Sequence, residues 1–84
     1  MKISLLYFGR PRERLNTSSE IADVPDNVST LAELLDWLRK RGDNWAQELA
    51  DNRVRCALNQ EITDLSACIS EKDEVAIFSS ISGG

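Results

Sequence analysis

Thr30-Leu31-Ala32-Glu33 is the stretch that most narrows what this chain can fold into. A threonine followed three residues later by glutamate can cap a helix start reciprocally, each side chain bonding the other residue's backbone N–H. Leu31, Leu34, Leu35 and Leu38 then recur at i, i+3, i+4 and i+7, an apolar stripe that must be buried against a second layer. Pro25-Asp26-Asn27 turns the chain into this helix. Arg39, Lys40 and Arg41 lie where the helix dipole favours cations, and Gly42 is expected as the left-handed residue that closes it. Asp43 to Ala50 reads as a second, shorter helix with Trp45 and Leu49 on one face. Trp37 and Trp45 are expected in packing rather than in a ligand stack.

The layer opposite the helix is a sheet. Lys2 to Phe8 alternates, sending Ile3, Leu5 and Tyr7 to one face and Ser4, Leu6 and Phe8 to the other. After Gly9, Pro11 suits the first turn of a short helix through Leu15, with Arg10, Arg12 and Arg14 mostly outward. Glu20 to Val24 is a weaker strand, because Ile21, Ala22 and Val24 do not alternate cleanly, and the first strand is its expected hairpin partner. Val54 to Leu58 puts Val54, Cys56 and Leu58 inward and Arg55 and Ala57 outward. Asn59-Gln60-Glu61 is a turn, and Leu65 and Ile69 are core plugs in an irregular or briefly strand-like stretch. The last strand, Glu74 to Phe78, faces Val75 and Ile77 to the core. This is an α+β layout, a mixed sheet packed on one main helix, as in the β-grasp or ubiquitin-like fold. If the first and last strands are neighbours, Leu6, Phe8, Ala76 and Phe78 share the face away from the helix as an apolar docking surface, with Ala57 a candidate for the same face. The 84 residues make one domain, 1–84, with 79–84 as a flexible tail.

Composition narrows the chemistry. The net charge of −4 argues against nucleic acid and acidic membrane surfaces as partners. No histidine is present, which removes the commonest general base and metal ligand, so catalysis by this chain alone is not expected. Cys56 and Cys68 form no C-x-x-C pair, and no metal site is expected; both thiols are read as buried in a reducing compartment. The opening apolar run is too short for a signal peptide and no transmembrane run follows, which places the protein in the cytoplasm.

The chain ends Ile81-Ser82-Gly83-Gly84. Two successive glycines make a slim thread that fits a channel too narrow for side chains, with the α-carboxylate of Gly84 as the reactive group. Six residues from Ser79 would carry that carboxylate about 20 Å from the folded body.

Leu6-Tyr7-Phe8 followed by Arg12-Glu13, then Trp45-Ala46, Leu58-Asn59-Gln60, Asp73-Glu74-Val75-Ala76 with Phe78, and the terminal Ser82-Gly83-Gly84 together resemble the MoaD family. Its members are β-grasp sulfur carriers, the small subunits of molybdopterin synthase, and the resemblance spans essentially the whole chain. It implies that Gly84 is adenylated by a ubiquitin-activating-type adenylyltransferase using ATP. A sulfur donor then converts the adenylate to a thiocarboxylate. The tail enters the large subunit of molybdopterin synthase, where two transfers build the dithiolene of molybdopterin. Ser82 and Gly83 would permit threading, and Phe8 and Phe78, with Leu6 and Ala76, would dock; Arg12 also matches a family position. The resemblance implies no cofactor bound by this chain, a non-catalytic sulfur-donating role and a heterotetramer with the large subunit.

Two positions depart from the family pattern. Ser79 and Ser80 stand where prolines are usual, so the tail is expected to be more mobile or to extend the last strand. Lys72 stands where glycine is favoured in the last turn, so a different turn type is expected. Alternative readings are the shorter thiamine-pathway sulfur carrier, a ubiquitin-like modifier joined to target lysines, and an interaction domain whose tail is incidental.

Overall fold

The computed structural model describes residues 1–80; the tail residues Ser82, Gly83 and Gly84 lie outside the described residues. The elements in order are β1 (Lys2–Tyr7), α1 (Gly9–Leu15), β2 (Ser19–Asp23), α2 (Leu31–Arg39), α3 (Asp43–Glu48), β3 (Val54–Leu58), β4 (Glu61–Thr63) and β5 (Glu74–Ser79). They build a mixed sheet in the order β2-β1-β5-β3-β4, with β1 and β5 parallel and the other pairs antiparallel. With α2 packed across one face, this is the β-grasp arrangement. Among the described residues no helix is long and apolar enough to cross a membrane.

The capping box forms as the sequence predicts. The Glu33 N–H donates to Thr30 Oγ1 at 3.2 Å, and Glu33 Oε1 accepts the Thr30 N–H at 3.2 Å and the Ser29 N–H at 2.8 Å. The next N–H groups of α2 are satisfied from far along the chain: Leu31 donates to the Ala67 carbonyl at 3.0 Å and Ala32 to that of Leu65 at 2.8 Å. The irregular stretch after β4 therefore ties down the helix start, while Ile69 is buried and Leu65 packs partly against the core. Leu31, Leu34, Leu35 and Leu38 are fully buried with Ile3, Leu5, Val75 and Ile77. Truncating one such leucine to alanine costs about 2–5 kcal/mol, so this layer carries much of the stability.

Gly42 departs from expectation. Lys40 closes α2 with φ −74°, and Gly42 is instead the N-cap of α3, with φ 156° and ψ 176°. The next helix begins at once, so the chain must leave in an extended conformation that side chains rarely tolerate. Phe8 leaves the strand too: it caps α1, still extended, with its N–H donating to the Ile77 carbonyl at 2.9 Å. Cys68, expected to be buried, is exposed, paired with Thr30 in an isolated bridge just before α2. Cys56 is buried, and that burial, helped by the Asp51 charge, pushes its thiol up to about 12, leaving almost none of the reactive thiolate at neutral pH.

The failed alternation of β2 has a structural cause. Its inward position is Glu20, whose carboxylate accepts the Tyr7 hydroxyl at 2.8 Å and both Arg41 NH groups at 2.7 and 3.0 Å. The Arg41 guanidinium also lies 4.6 Å from the Trp45 ring centroid and 5.6 Å from that of Trp37, and Tyr7 meets Trp45 edge-on at 5.8 Å. Both tryptophans are thus packing residues, clasping the cation that offsets the cost of partly burying an acid in the sheet. The Arg41 hydrogen bonds hold the Glu20 carboxyl below its usual range. A depressed folded pKa contributes stability above the unfolded value and loses it as pH falls. Acid titration monitored by circular dichroism is expected to show stability declining below about pH 4.5, with a shallower slope in Glu20→Gln. A residual slope remains from Glu33, which bonds from Ser29 depress in the same direction.

Asn59 and Gln60 form a two-residue hairpin between the paired Leu58 and Glu61, with φ of 50° and 73°. Asn59 offsets its strain by accepting the Glu74 N–H at 2.9 Å and donating to Asp73 at 3.1 Å. Lys72, at φ 70°, adopts the left-handed conformation that glycine takes freely. Gln60→Gly and Lys72→Gly are each expected to raise stability by about 0.5–1 kcal/mol, less than the strain relieved because glycine loses more entropy on folding. The urea midpoint reads the change.

Candidate docking face and tail exit

The register places one apolar row across four strands. Leu6 pairs with Ala76, Ala76 with Ala57, and Ala57 with Ile62, all on the face away from α2. Their neighbours Leu5, Val75, Cys56 and Ile77 point inward and are buried, so the alternation separates core from outer face cleanly. Two alanines at the centre leave a low floor between the bulkier Leu6 and Ile62. Phe78 stands beside the row, opposite Arg55, and Phe8 follows β1 at the same end of the sheet. No element among the described residues covers this face: Phe8 is 47% exposed and Ile62 is 61% exposed, while Leu6, Ala76 and Phe78 are half-buried.

The sequence-predicted residues Leu6, Phe8, Ala76 and Phe78 are thus brought onto one face. Arg12 sits on α1 instead, exposed, with no ion pair among the described residues. Its neighbour Arg10 is used structurally, donating to the buried Glu48 carboxylate at 3.0 Å and tying α1 to α3. Gly84, Gly83 and Ser82 lie outside the described residues.

The chain leaves the sheet at the Phe78 end. Of the two outcomes expected for Ser79 and Ser80, strand extension is the one seen: Ser79 pairs with Val54 in β5. The Ser80 N–H then donates to the Arg53 carbonyl at 2.8 Å, and its hydroxyl to the Asn52 carbonyl at 3.2 Å. Among the described residues the apolar face thus lies uncovered beside the strand that leads toward the C-terminal Ser82-Gly83-Gly84.

The family model described as the ThiS family matches residues 5–84. The chain belongs to the ThiS family. Three curated molybdopterin synthase sulfur carrier subunits match over essentially the whole chain. That of Mycobacterium tuberculosis is 31% identical over 86 residues, covering 100% of this chain and 99% of its own length. Among solved structures, SAMP1 from Haloferax volcanii is 24% identical with a TM-score of 0.75, each chain covered in full. A protein–protein complex of subunits 1 and 2 of molybdopterin-converting factor from Helicobacter pylori matches at 18% identity and a TM-score of 0.66, again over the whole of both chains. Both likenesses are of fold.

For this ThiS-family chain the structure adds residues that sequence reading did not firmly assign to the face. Ile62 completes the row, Ala57, only a candidate from sequence, lies at its centre, and Ile21, 72% exposed on the edge strand β2, flanks Ser4 on the same side. The signal for Ile21 was parity: it is out of phase with the inward Ala22 and Val24. Ile62 offered none, since a three-residue strand has too few positions to show a period.

Proposed function

We propose that this chain is the sulfur carrier subunit of a cytoplasmic molybdopterin synthase. The observation that carries the reading is the row Leu6-Ala76-Ala57-Ile62, uncovered among the described residues, with Phe8 and Phe78, beside the strand that leads toward Ser82-Gly83-Gly84. The names of the whole-length relatives support it. The Helicobacter pylori protein of like fold is seen in complex with a second subunit of its converting factor, which supports a large subunit as the partner here.

In this reading the apolar face docks on the large subunit, and in a separate encounter on an adenylyltransferase of the ubiquitin-activating type. The Gly84 carboxylate attacks the α-phosphorus of ATP and pyrophosphate leaves. The acyl adenylate then has AMP as a leaving group, which a bare carboxylate lacks. Sulfide supplied by the donor attacks the acyl carbon and AMP leaves, giving a thiocarboxylate; its soft, ionised sulfur bonds to the pyranopterin, and water then cleaves the acyl–sulfur bond and restores the Gly84 carboxylate. The chain binds no cofactor of its own, ATP being consumed by the activating enzyme. Gly83 and Ser82 are the threading residues, and Arg12 is a contact at the rim.

The test is the intact mass after incubation with ATP, the activating enzyme and sulfide, with the C-terminal peptide sequenced. The expected result is the mass gain of one oxygen replaced by sulfur, on Gly84. An unchanged mass beside an active control enzyme overturns the reading, and conjugates to lysines on a denaturing gel would establish a protein modifier instead.

A further inference from the structure

We infer that Ser80 is a positioning residue that fixes where the carrier's reach begins, an inference that rests on the proposed sulfur-carrier function. Nothing in the core needs Ser80. The last buried residue of β5 is Ile77, yet the strand continues two residues further and ends on a pair of hydrogen bonds from one residue, the Ser80 N–H to Arg53 and its hydroxyl to Asn52.

The seat for those bonds is braced. Arg53 donates its own N–H to the Ala50 carbonyl at 2.8 Å. Just before it, Arg39 of α2 donates to the Leu49 carbonyl at 2.8 Å and to Asp51 at 2.9 Å. The carbonyls that receive Ser80 therefore belong to a turn tied to the main helix, so the clamp is referenced to the rigid body.

The clamp also sets reach. Ile81 to Gly84 follow Ser80, and four residues span at most about 13–14 Å, against about 20 Å if the chain left the body at Phe78. A partner docked on Phe8 and Phe78 meets a tail whose point of departure, Ser80, is fixed on the body. Fixing the launch point before binding removes ordering entropy that would otherwise be lost on binding. Losing one hydrogen bond of the kind Ser80 makes lowers the ratio of seated to unseated strand ends by about twofold to tenfold, which sets the largest fall in apparent affinity it can cause.

Three variants test this in the full chain: Ser80→Gly, which loses the hydroxyl bond and loosens the backbone, Ser80→Ala, which loses the hydroxyl bond only, and Ser80→Thr, which keeps both donors. With the activating enzyme and ATP, KM for the carrier is expected to rise about threefold to tenfold in Ser80→Gly and less in Ser80→Ala, with kcat unchanged. Ser80→Thr is expected to restore the wild-type value, and the thermal midpoint should fall by no more than about 2–8 °C in Ser80→Gly and Ser80→Ala, as the loss of one hydrogen bond allows. A purely structural role would shift the midpoint and leave KM alone. Equal KM across the variants overturns the inference, as does a fall in KM, which would mean that the clamp must break before the tail is used. Amide hydrogen exchange of wild-type Ser80 is independent of any reaction. Protection is expected, and exchange at the rate of a free peptide refutes the clamp. If Ser80 is protected but the wild-type chain is not activated, the carrier function fails while the clamp stands as a structural feature only, and the positioning role is overturned.

Discussion

Removing Gly84 alone is expected to cut sulfur transfer at least about a hundredfold and to leave the fold untouched. The truncated chain still ends in a glycine carboxylate, that of Gly83, so the chemistry of the end group is conserved. What changes is its position, by one residue or about 3.3–3.6 Å. A reacting group misplaced by about 1 Å can already cost a factor of about a hundred, because adenylation and transfer both require near-attack geometry. The buried core among the described residues runs from Ile3 to Ile77, so the thermal midpoint is expected to stay at the wild-type value. Intact-mass detection of the thiocarboxylate and molybdopterin formation with the large subunit read the result. Full activity in the truncated protein would show that the terminal carboxylate is not the sulfur site.

Phe78→Glu is expected to weaken docking by about 2–4 kcal/mol, roughly thirtyfold to a thousandfold in Kd, with little effect on folding. The loss has two sources: an aromatic contact with the partner disappears, and the carboxylate, with the Arg55 it faces, must give up its water when the apolar row Leu6-Ala76-Ala57-Ile62 is covered. Glutamate is the informative choice because Phe78 sits directly opposite Arg55 on β3. An opposite charge there gains a cross-strand ion pair, whereas Phe78→Arg would set two guanidinium groups against each other and confuse weaker docking with weaker folding. Calorimetric titration with the large subunit, beside urea denaturation of the carrier alone, separates the two. Wild-type affinity in Phe78→Glu would remove Phe78 from the docking face.

A side chain's role was legible in the sequence wherever it follows from immediate neighbours. The inward and outward residues of β1, β3 and β5 could be read because strand alternation is a property of consecutive residues. That parity placed Leu6, Phe8, Ala76 and Phe78 together once β1 and β5 were taken as neighbours. Gly42 misled because a glycine after a helix suits either a left-handed cap or the extended entry to another helix, and the difference lies in how soon α3 begins.

From the sequence alone follow α2, with its cap from Thr30 and Glu33 and its four buried leucines, and the outward set of each well-formed strand. These depend on contacts three or four residues apart, or on alternation, and survive in any fold that buries one face. Closure of the fold was needed to turn Glu20 inward, to leave Cys68 exposed, to complete the docking row with Ile62, and to end the last strand with Ser80 on Asn52 and Arg53. Ile62 pairs locally with Ala57 but in a strand too short to show a period; the others are set by a partner remote in the chain or by the packing of distant elements: Arg41 is 21 residues from Glu20 and Asn52 is 28 from Ser80. Such pairings gain their energy only after the sheet and helix have come together, so no local pattern records them.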